Sequence, residues 1–352
     1  MHIRLIQNAT LVVALALATP YLFASPAQEQ PSGDAVLVVA TTTIVGDIVA
    51  GIGGDRISLY VMLAPGVDPH VFQPTPRDLR HVADADVLFA NGAGLEADFL
   101  GSLLETAEPR RMVEVSAHLP LRRMDDVEEE EHDEEPGDGD EEDHHDEEDE
   151  EDGEADDHGE DGEEEDHHGE EEDHHGEFDA HVWMDPTLVA GWTVEIAEAL
   201  AEVDPEHAAE YAARAATLSD ELQELDAWIR SRVSAVPAPL RVLVTDHDVL
   251  SYFADRYGFE LLETVVPGVS TASEPSARHL AQLRETIAEH GIPAIFIGTT
   301  VSPQTAQTVA DDLGIELVAI YTGSLSEPGG PAATYQDFMR TNVERIVAAL
   351  AP

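Results

Sequence analysis

Residues 205–236, PEHAAEYAARAATLSDELQELDAWIRSRVSAV, decide how the 352-residue chain is read. Asp204 is a good helix N-cap and Pro205 suits the first helical position. Apolar side chains then recur at Tyr211, Leu218, Leu222, Leu225, Trp228, Ile229 and Val233, the spacing of one helical face. Pro237 and Pro239 end the pattern. A helix of this length spans on the order of 45 Å, too long for an ordinary crossover. It reads as a rigid connector with a folded lobe on either side.

Upstream of the connector, strand, loop and helix alternate. Ala35 to Ala40 (AVLVVA) is a continuous apolar run of the kind buried in a parallel sheet, and Ile44 to Ile52 is helical after it. Ile57 to Leu63 is the next strand, followed by a Pro- and Gly-rich loop, Ala64 to Pro76, that carries His70. Thr75, Pro76 and Asp78 open a helix to about Ala83. Asp86 to Ala90 and Met112 to Val115 are the third and fourth strands, with a helix near Leu95 to Thr106 between them. Asp185 and Pro186 open a further helix to about Leu200.

Downstream, strands are expected at Leu240 to Thr245, Glu260 to Val265, Ala294 to Ile297 and Leu317 to Tyr321. Helices alternate with them at Val249 to Tyr257, Ser276 to Glu289, Pro303 to Leu313 and Thr334 to Leu350. The expectation is an α/β protein of two doubly wound parallel-sheet lobes joined by one long rigid helix. The N-terminal lobe is expected over 35–204, the connector over 205–236 and the C-terminal lobe over 237–352.

Composition narrows the function classes. There is no Cys, which excludes disulfides, thiolate metal sites and cysteine nucleophiles. The formal net charge is −57, and all 17 basic residues are Arg. So acidic a chain has no footprint for nucleic acid or an anionic membrane surface; it fits a cationic partner, and a monomer is expected. His2 and Arg4 precede the apolar run Leu11 to Ala18, with small residues at Ala24, Ser25 and Ala27. That is the pattern of a secretory signal over 1–27, and its apolar core is brief for a spanning anchor. Without Cys there is no lipid-modified N-terminus, so a periplasmic or secreted location after signal cleavage is expected.

One segment interrupts the first lobe. From Asp125 to Glu177 the chain is almost entirely Asp, Glu, His and Gly; Asp125 to Asp179 holds 36 acidic residues and no Arg or Lys. With so little to bury it is expected to stay disordered. Its histidines are His132, His144, His145, His158, His167, His168, His174 and His175. A solvated acidic linker is one reading. Imidazoles among carboxylates also hold divalent cations weakly at many sites, and the paired histidines favour that accessory role.

Ligands of open α/β sheets bind outside the carboxyl ends of the strands. His70 follows the second strand, and His247, in Asp246-His247-Asp248, follows the first strand of the second lobe. His181 stands where the ordered pattern resumes, beside Trp183, which is expected to anchor it by packing. Singly, each is better explained as a capping or surface residue. Together, three imidazoles without a thiolate suit Zn²⁺. His81, His118, His207, His279 and His290 read as structural or surface residues.

Five segments, in order, carry a resemblance. They are APGVDPHVFQPTPRDL (64–79), ADVLFANGAGLEADFL (85–100), DAHVWMDP (179–186), TDHDVLSYFADRYGF (245–259) and TYQDFMRTNVERI (334–346). The chain resembles the zinc/manganese ABC-transporter solute-binding protein family over about residues 36–352, apart from the acidic run. The resemblance implies two α/β lobes joined by a long helix, with a metal in the cleft between them. It also implies that His70, His181 and His247 are ligands, and that a charged, His-rich insertion marks zinc-binding members. Two positions depart from the family pattern, Gly323 and Gly298, where relatives often carry carboxylates. The fourth position then falls to water, to Glu327 or Asp68, or to a carboxylate of the acidic run.

These features lead to a periplasmic protein that captures Zn²⁺ and delivers it to the permease and ATPase of an ABC importer. Asp179 and Asp246 stand beside two of the histidines and are candidates to orient their second ring nitrogens. Manganese is the rival metal, disfavoured because it prefers more oxygen ligands. A zinc hydrolase or hydratase using an open three-His site is an alternative, although no H-E-x-x-H motif supplies a base. A stand-alone metal buffer or adhesin-like protein is another.

Overall fold

The computed structural model describes residues 35–124, 177–268, 271 and 275–351. The expected signal over 1–27, and the acidic run 125–177 up to its last residue, lie outside the described residues.

The first sheet contains β1 (Val36–Ala40), β2 (Ile57–Val61), β3 (Val87–Ala90) and β4 (Met112–Glu114), all parallel, in the order β2-β1-β3-β4. The second contains β5 (Val242–Thr245), β6 (Glu260–Thr264), β7 (Ala294–Gly298) and β8 (Glu316–Ile320), also parallel, in the order β6-β5-β7-β8. The two lobes thus share one topology. In each, the chain leaves its first strand towards one edge and crosses back to the other side, so the strand order reverses beside β1 and β5. The crevice outside the carboxyl ends of the strands at such a reversal is where open α/β sheets bind ligands.

Local chemistry sets the helices. α1 (Thr43–Gly53) starts where the Thr42 hydroxyl accepts from the Val45 N–H. α2 (Pro76–Asp84) opens with a full capping box between Thr75 and Asp78. α3 (Ala97–Thr106) completes the first lobe's sheet covering, and α4 (Pro186–Val203) is capped by Asp185 through the Thr187 N–H. α5 (Ala208–Val233) is the connector. α6 (Ser251–Tyr257), α7 (Ala277–His290), α8 (Gln304–Leu313) and α9 (Tyr335–Leu350) belong to the second lobe.

The connector is shorter than the apolar period suggests. Pro205–His207 is a 3₁₀ turn and the α-helix proper has 26 residues, about 39 Å at the usual rise. Asp204 caps no backbone N–H; its carboxylate accepts from the Tyr211 hydroxyl (2.6 Å) and lies 2.8 Å from His207 Nδ1. Another 3₁₀ turn, Ala238–Leu240, occupies the expected start of β5.

Packing explains why both lobes behave as one body. The inner faces of both sheets and α1, α4, α5, α6 and α9 enclose one continuous core, centred on the fully buried Trp183, Trp192, Tyr211 and Tyr335. α2 and α3 cover the outer face of the first sheet through Val82, Phe99 and Leu103. α7 and α8 cover that of the second through Leu283, Ile287 and Val309. Among the described residues, no helix is long and apolar enough to cross a membrane.

Trp192 is wholly buried and its indole N–H donates to Ser116 Oγ (3.1 Å), so Trp192→Ala should lower the unfolding free energy by about 3–5 kcal/mol. Thr75→Ala removes one half of a capping box and should cost about 1 kcal/mol. Urea denaturation of the two variants checks both.

Candidate metal centre

Two loops at the carboxyl ends of strands and the segment leading into α4 converge between the sheets. The loop after β2 folds into a 3₁₀ turn at Pro69–Val71, where Asp68 Oδ1 accepts from the His70 N–H (3.0 Å). The loop after β5 holds His247: the Thr245 hydroxyl donates to its carbonyl (2.7 Å), and the Val249 N–H donates to the same oxygen (2.8 Å). His181 lies just before the 3₁₀ turn Val182–Met184 that leads into α4.

One ring nitrogen from each of His70, His181 and His247 lies within 4.8 Å of the others, and these three form the one such His/Asp/Glu group among the described residues. His70 Nε2 and His181 Nε2 are 3.1 Å apart. Two nitrogens bound to one tetrahedral Zn²⁺ lie about 3.3 Å apart, given Zn–N bonds of about 2.0–2.1 Å, so this spacing fits a shared cation. The ring centroids are 5.2–5.5 Å apart, with interplanar angles of 55–83°. His181 and His247 are buried and His70 is half-buried.

The flanking acids differ. Asp179 Oδ1 accepts from the His181 N–H (2.9 Å) and lies 2.8 Å from its Nδ1, which leaves Nε2 directed at the other rings. Trp183 packs edge-on against the same ring at 5.2 Å, and its indole N–H donates to the Thr322 carbonyl (2.8 Å). Asp246 Oδ2 is 3.1 Å from His247 Nδ1, but the approach lacks hydrogen-bond alignment, so neither Asp246 oxygen has a hydrogen-bond partner. The contact is a close electrostatic approach without a directed bond, and it becomes an ion pair only when the ring is protonated.

Charge follows from this arrangement. Burial, reinforced by the other two rings, pushes His70 down to about 2, so it is a neutral ligand-ready imidazole. For His247, burial works against the charged ring, yet Asp246, with Asp68 and Asp248 beyond, outweighs it and holds the pKa above the ordinary value.

Of the proposed fourth ligands, neither joins the cluster. Asp68 uses its second oxygen to accept from the Thr271 hydroxyl (2.7 Å), and Glu327 is exposed. The two glycines are constrained by packing. A Cβ on Gly323 would sit 2.8 Å from Pro69 Cδ, and one on Gly298 would sit 2.3 Å from Thr322 Oγ1. Pro69 and Thr322 therefore fill the corners where side chains would begin. Sequence reading passes over both, since nothing local links Pro69 to Gly323. His81 stacks on Tyr60, His118 faces Glu195, His279 and His290 bond to backbone carbonyls, and His207 meets Asp204; none joins the trio. The eight histidines of the acidic run lie outside the described residues.

Residues 38–349 match the family model described as zinc-uptake complex component A, periplasmic. The chain belongs to that family. It is 28% identical to the zinc-binding protein TroA of Treponema pallidum over 349 residues, 97% of each chain. It is 27% identical to the manganese-binding lipoprotein MntA of Halalkalibacterium halodurans over 344 residues, again 97% of each. The solved structure of the Treponema pallidum periplasmic zinc-binding protein superposes with a TM-score of 0.72 at 28% identity, covering 90% of this chain and 100% of the other. These relatives are metal-binding proteins, with zinc and manganese both represented.

The stabilisation that His247 draws from Asp246 is fully present below pH 6.5, its ordinary value, and is lost as pH rises through the raised folded value. The His247→Ala penalty in metal-free protein should therefore be larger in mildly acidic than in alkaline buffer. His70 has the opposite sign: its depressed folded pKa removes stability as pH falls from 6.5 towards about 2, and His70→Ala should abolish that loss. Urea unfolding across pH measures both.

Proposed function

We propose that this protein captures Zn²⁺ in the cleft between its lobes and hands it to the permease and ATPase of an ABC importer, working in the periplasm after loss of its signal segment. The observation that carries the reading is the convergence of His70, His181 and His247, two of them buried, within 4.8 Å of one another. His70 and His181 hold the cation from the first lobe and His247 from the second, so one ion bridges both. Asp179 orients His181 through Nδ1, and Asp246 balances His247. Water completes the coordination, since the cluster of ligand atoms holds only the three imidazoles and Asp68 is turned to the His70 N–H and the Thr271 hydroxyl.

Zinc is favoured over manganese by the donor set. Three imidazoles without a carboxylate within the cluster suit Zn²⁺, whereas Mn²⁺ prefers oxygen. Family membership supports transport over hydrolysis, because its members are transport binding proteins. The acidic run adds weak sites that raise the local Zn²⁺ concentration beside His181. Its removal should leave the tight site and abolish several weak ones.

Titration of metal-free protein should show one tight Zn²⁺ site, abolished in the combined His70→Ala, His181→Ala, His247→Ala variant. Tight binding that survives the triple substitution sinks the assignment. Saturating Zn²⁺ at a thousand times Kd should stabilise the fold by about 4 kcal/mol, seen as a rise in Tm that a chelator reverses. Competition should leave Zn²⁺ bound in the presence of equimolar Mn²⁺.

A further inference from the structure

The chain leaves and re-enters the described structure through a short antiparallel pairing. Arg123 bridges Phe178, the Met124 N–H donates to the Glu177 carbonyl (3.1 Å), and the Asp179 N–H donates to the Arg122 carbonyl (2.9 Å). One side chain from the second lobe spans both strands of this pairing. Tyr252, on α6, donates its hydroxyl to the Asp179 carbonyl (3.0 Å) and accepts from the Arg122 N–H (3.0 Å). The Arg122 guanidinium also pairs with Asp255 on the same helix. Burial pushes the Tyr252 hydroxyl up to about 12, so it remains a donor at neutral pH.

Asp179 is also the residue whose carboxylate holds the backbone N–H and Nδ1 of His181. The rest of that segment is tied to other places: Asn91 donates to the Ala180 carbonyl, and Tyr335 to that of Trp183. α6 in turn follows directly from the loop that presents His247. One short helix therefore follows the loop that presents His247 and, through one hydroxyl, holds the backbone of Asp179, whose carboxylate orients His181.

We propose that Tyr252 is a positioning residue for metal capture, its hydroxyl fixing Asp179 and so setting the separation of His181 from His247. This rests on the reading that the three histidines bind the metal. The physical reason is tolerance: metal–nitrogen distances are satisfied only within about 0.2 Å, while a loop freed from a hydrogen bond drifts further. Groups that orient a ligand's far nitrogen typically contribute about 10–100-fold in metal affinity when removed. Tyr252 acts one step behind such a group.

The test compares two tyrosines of the same helix. Tyr252→Phe should weaken Zn²⁺ binding about tenfold, the lower end of that range, and shift the His181 ring N–H resonance in the metal-free protein. Tyr257 is equally buried, and its hydroxyl donates to Asp226 on α5 (3.1 Å), away from the histidines. Tyr257→Phe removes a buried hydroxyl from the same helix, one that bonds a carboxylate rather than the Asp179 backbone, and should leave affinity and resonance unchanged. Equal losses in both variants, or none in Tyr252→Phe, overturn the proposal. His181→Ala is the separate control; if it keeps full Zn²⁺ affinity, the metal assignment itself fails.

Discussion

Three imidazole nitrogens held within 4.8 Å of one another place a demand that the rest of the structure answers. Protonated, the rings would repel across centroid distances of 5.2–5.5 Å, and burial would penalise each charge. The fold resolves this unevenly. His70 is kept neutral by burial and by its neighbours, while for His247 the Asp246 carboxylate outweighs burial and raises its affinity for a proton. A divalent cation replaces that compromise with a single central charge, which suits all three rings at once.

Holding the rings in place requires that the lobes not slide. The shared core supplies this, since α1, α4 and α5 pack into the same interior as α9 and the inner face of the second sheet. Polar ties follow the seam above it. The Ser324 hydroxyl accepts from the Gly66 N–H, the Leu325 N–H donates to the Thr43 hydroxyl, and the Tyr335 N–H donates to Asp47. Pro69 lies against Gly323 so closely that a side chain there would displace it. The turn presenting His70 thus leans directly on the second lobe, and the position of one ligand depends on packing between lobes.

Among the described residues, most of the buried side-chain polar atoms without partners lie at the same place. Both Asp246 oxygens, His247 Nδ1, Thr322 Oγ1 and one Asp179 oxygen have no hydrogen-bond partner among protein groups. Each such group costs free energy that a purely structural site would have shed. Functional sites are where sequences break local rules, and here the breakage surrounds the three histidines.

Much of this was legible in the chain itself. Apolar runs such as Val36–Ala40 and Ala294–Gly298 announce buried parallel strands because every side chain in them is fit for burial, and Thr75-Pro76 announces a helix start because its chemistry is local. The strand ends place His70 and His247 where parallel sheets bind ligands, and the family resemblance adds His181. Less legible was anything decided by contact between distant segments. The connector's first turn became 3₁₀, with Asp204 turned to Tyr211 rather than to the backbone. The exclusion of side chains at Gly298 and Gly323 depends on Thr322 and Pro69, and the tie from Tyr252 to Asp179 joins residues 73 positions apart. Periodicity and capping act over a few residues, so sequence determines the elements and the residue types at their ends. Which nitrogen of each ring is free, how far apart the rings stand and what closes the corners between them are set by packing across the seam, which exists only once both lobes have folded against one core.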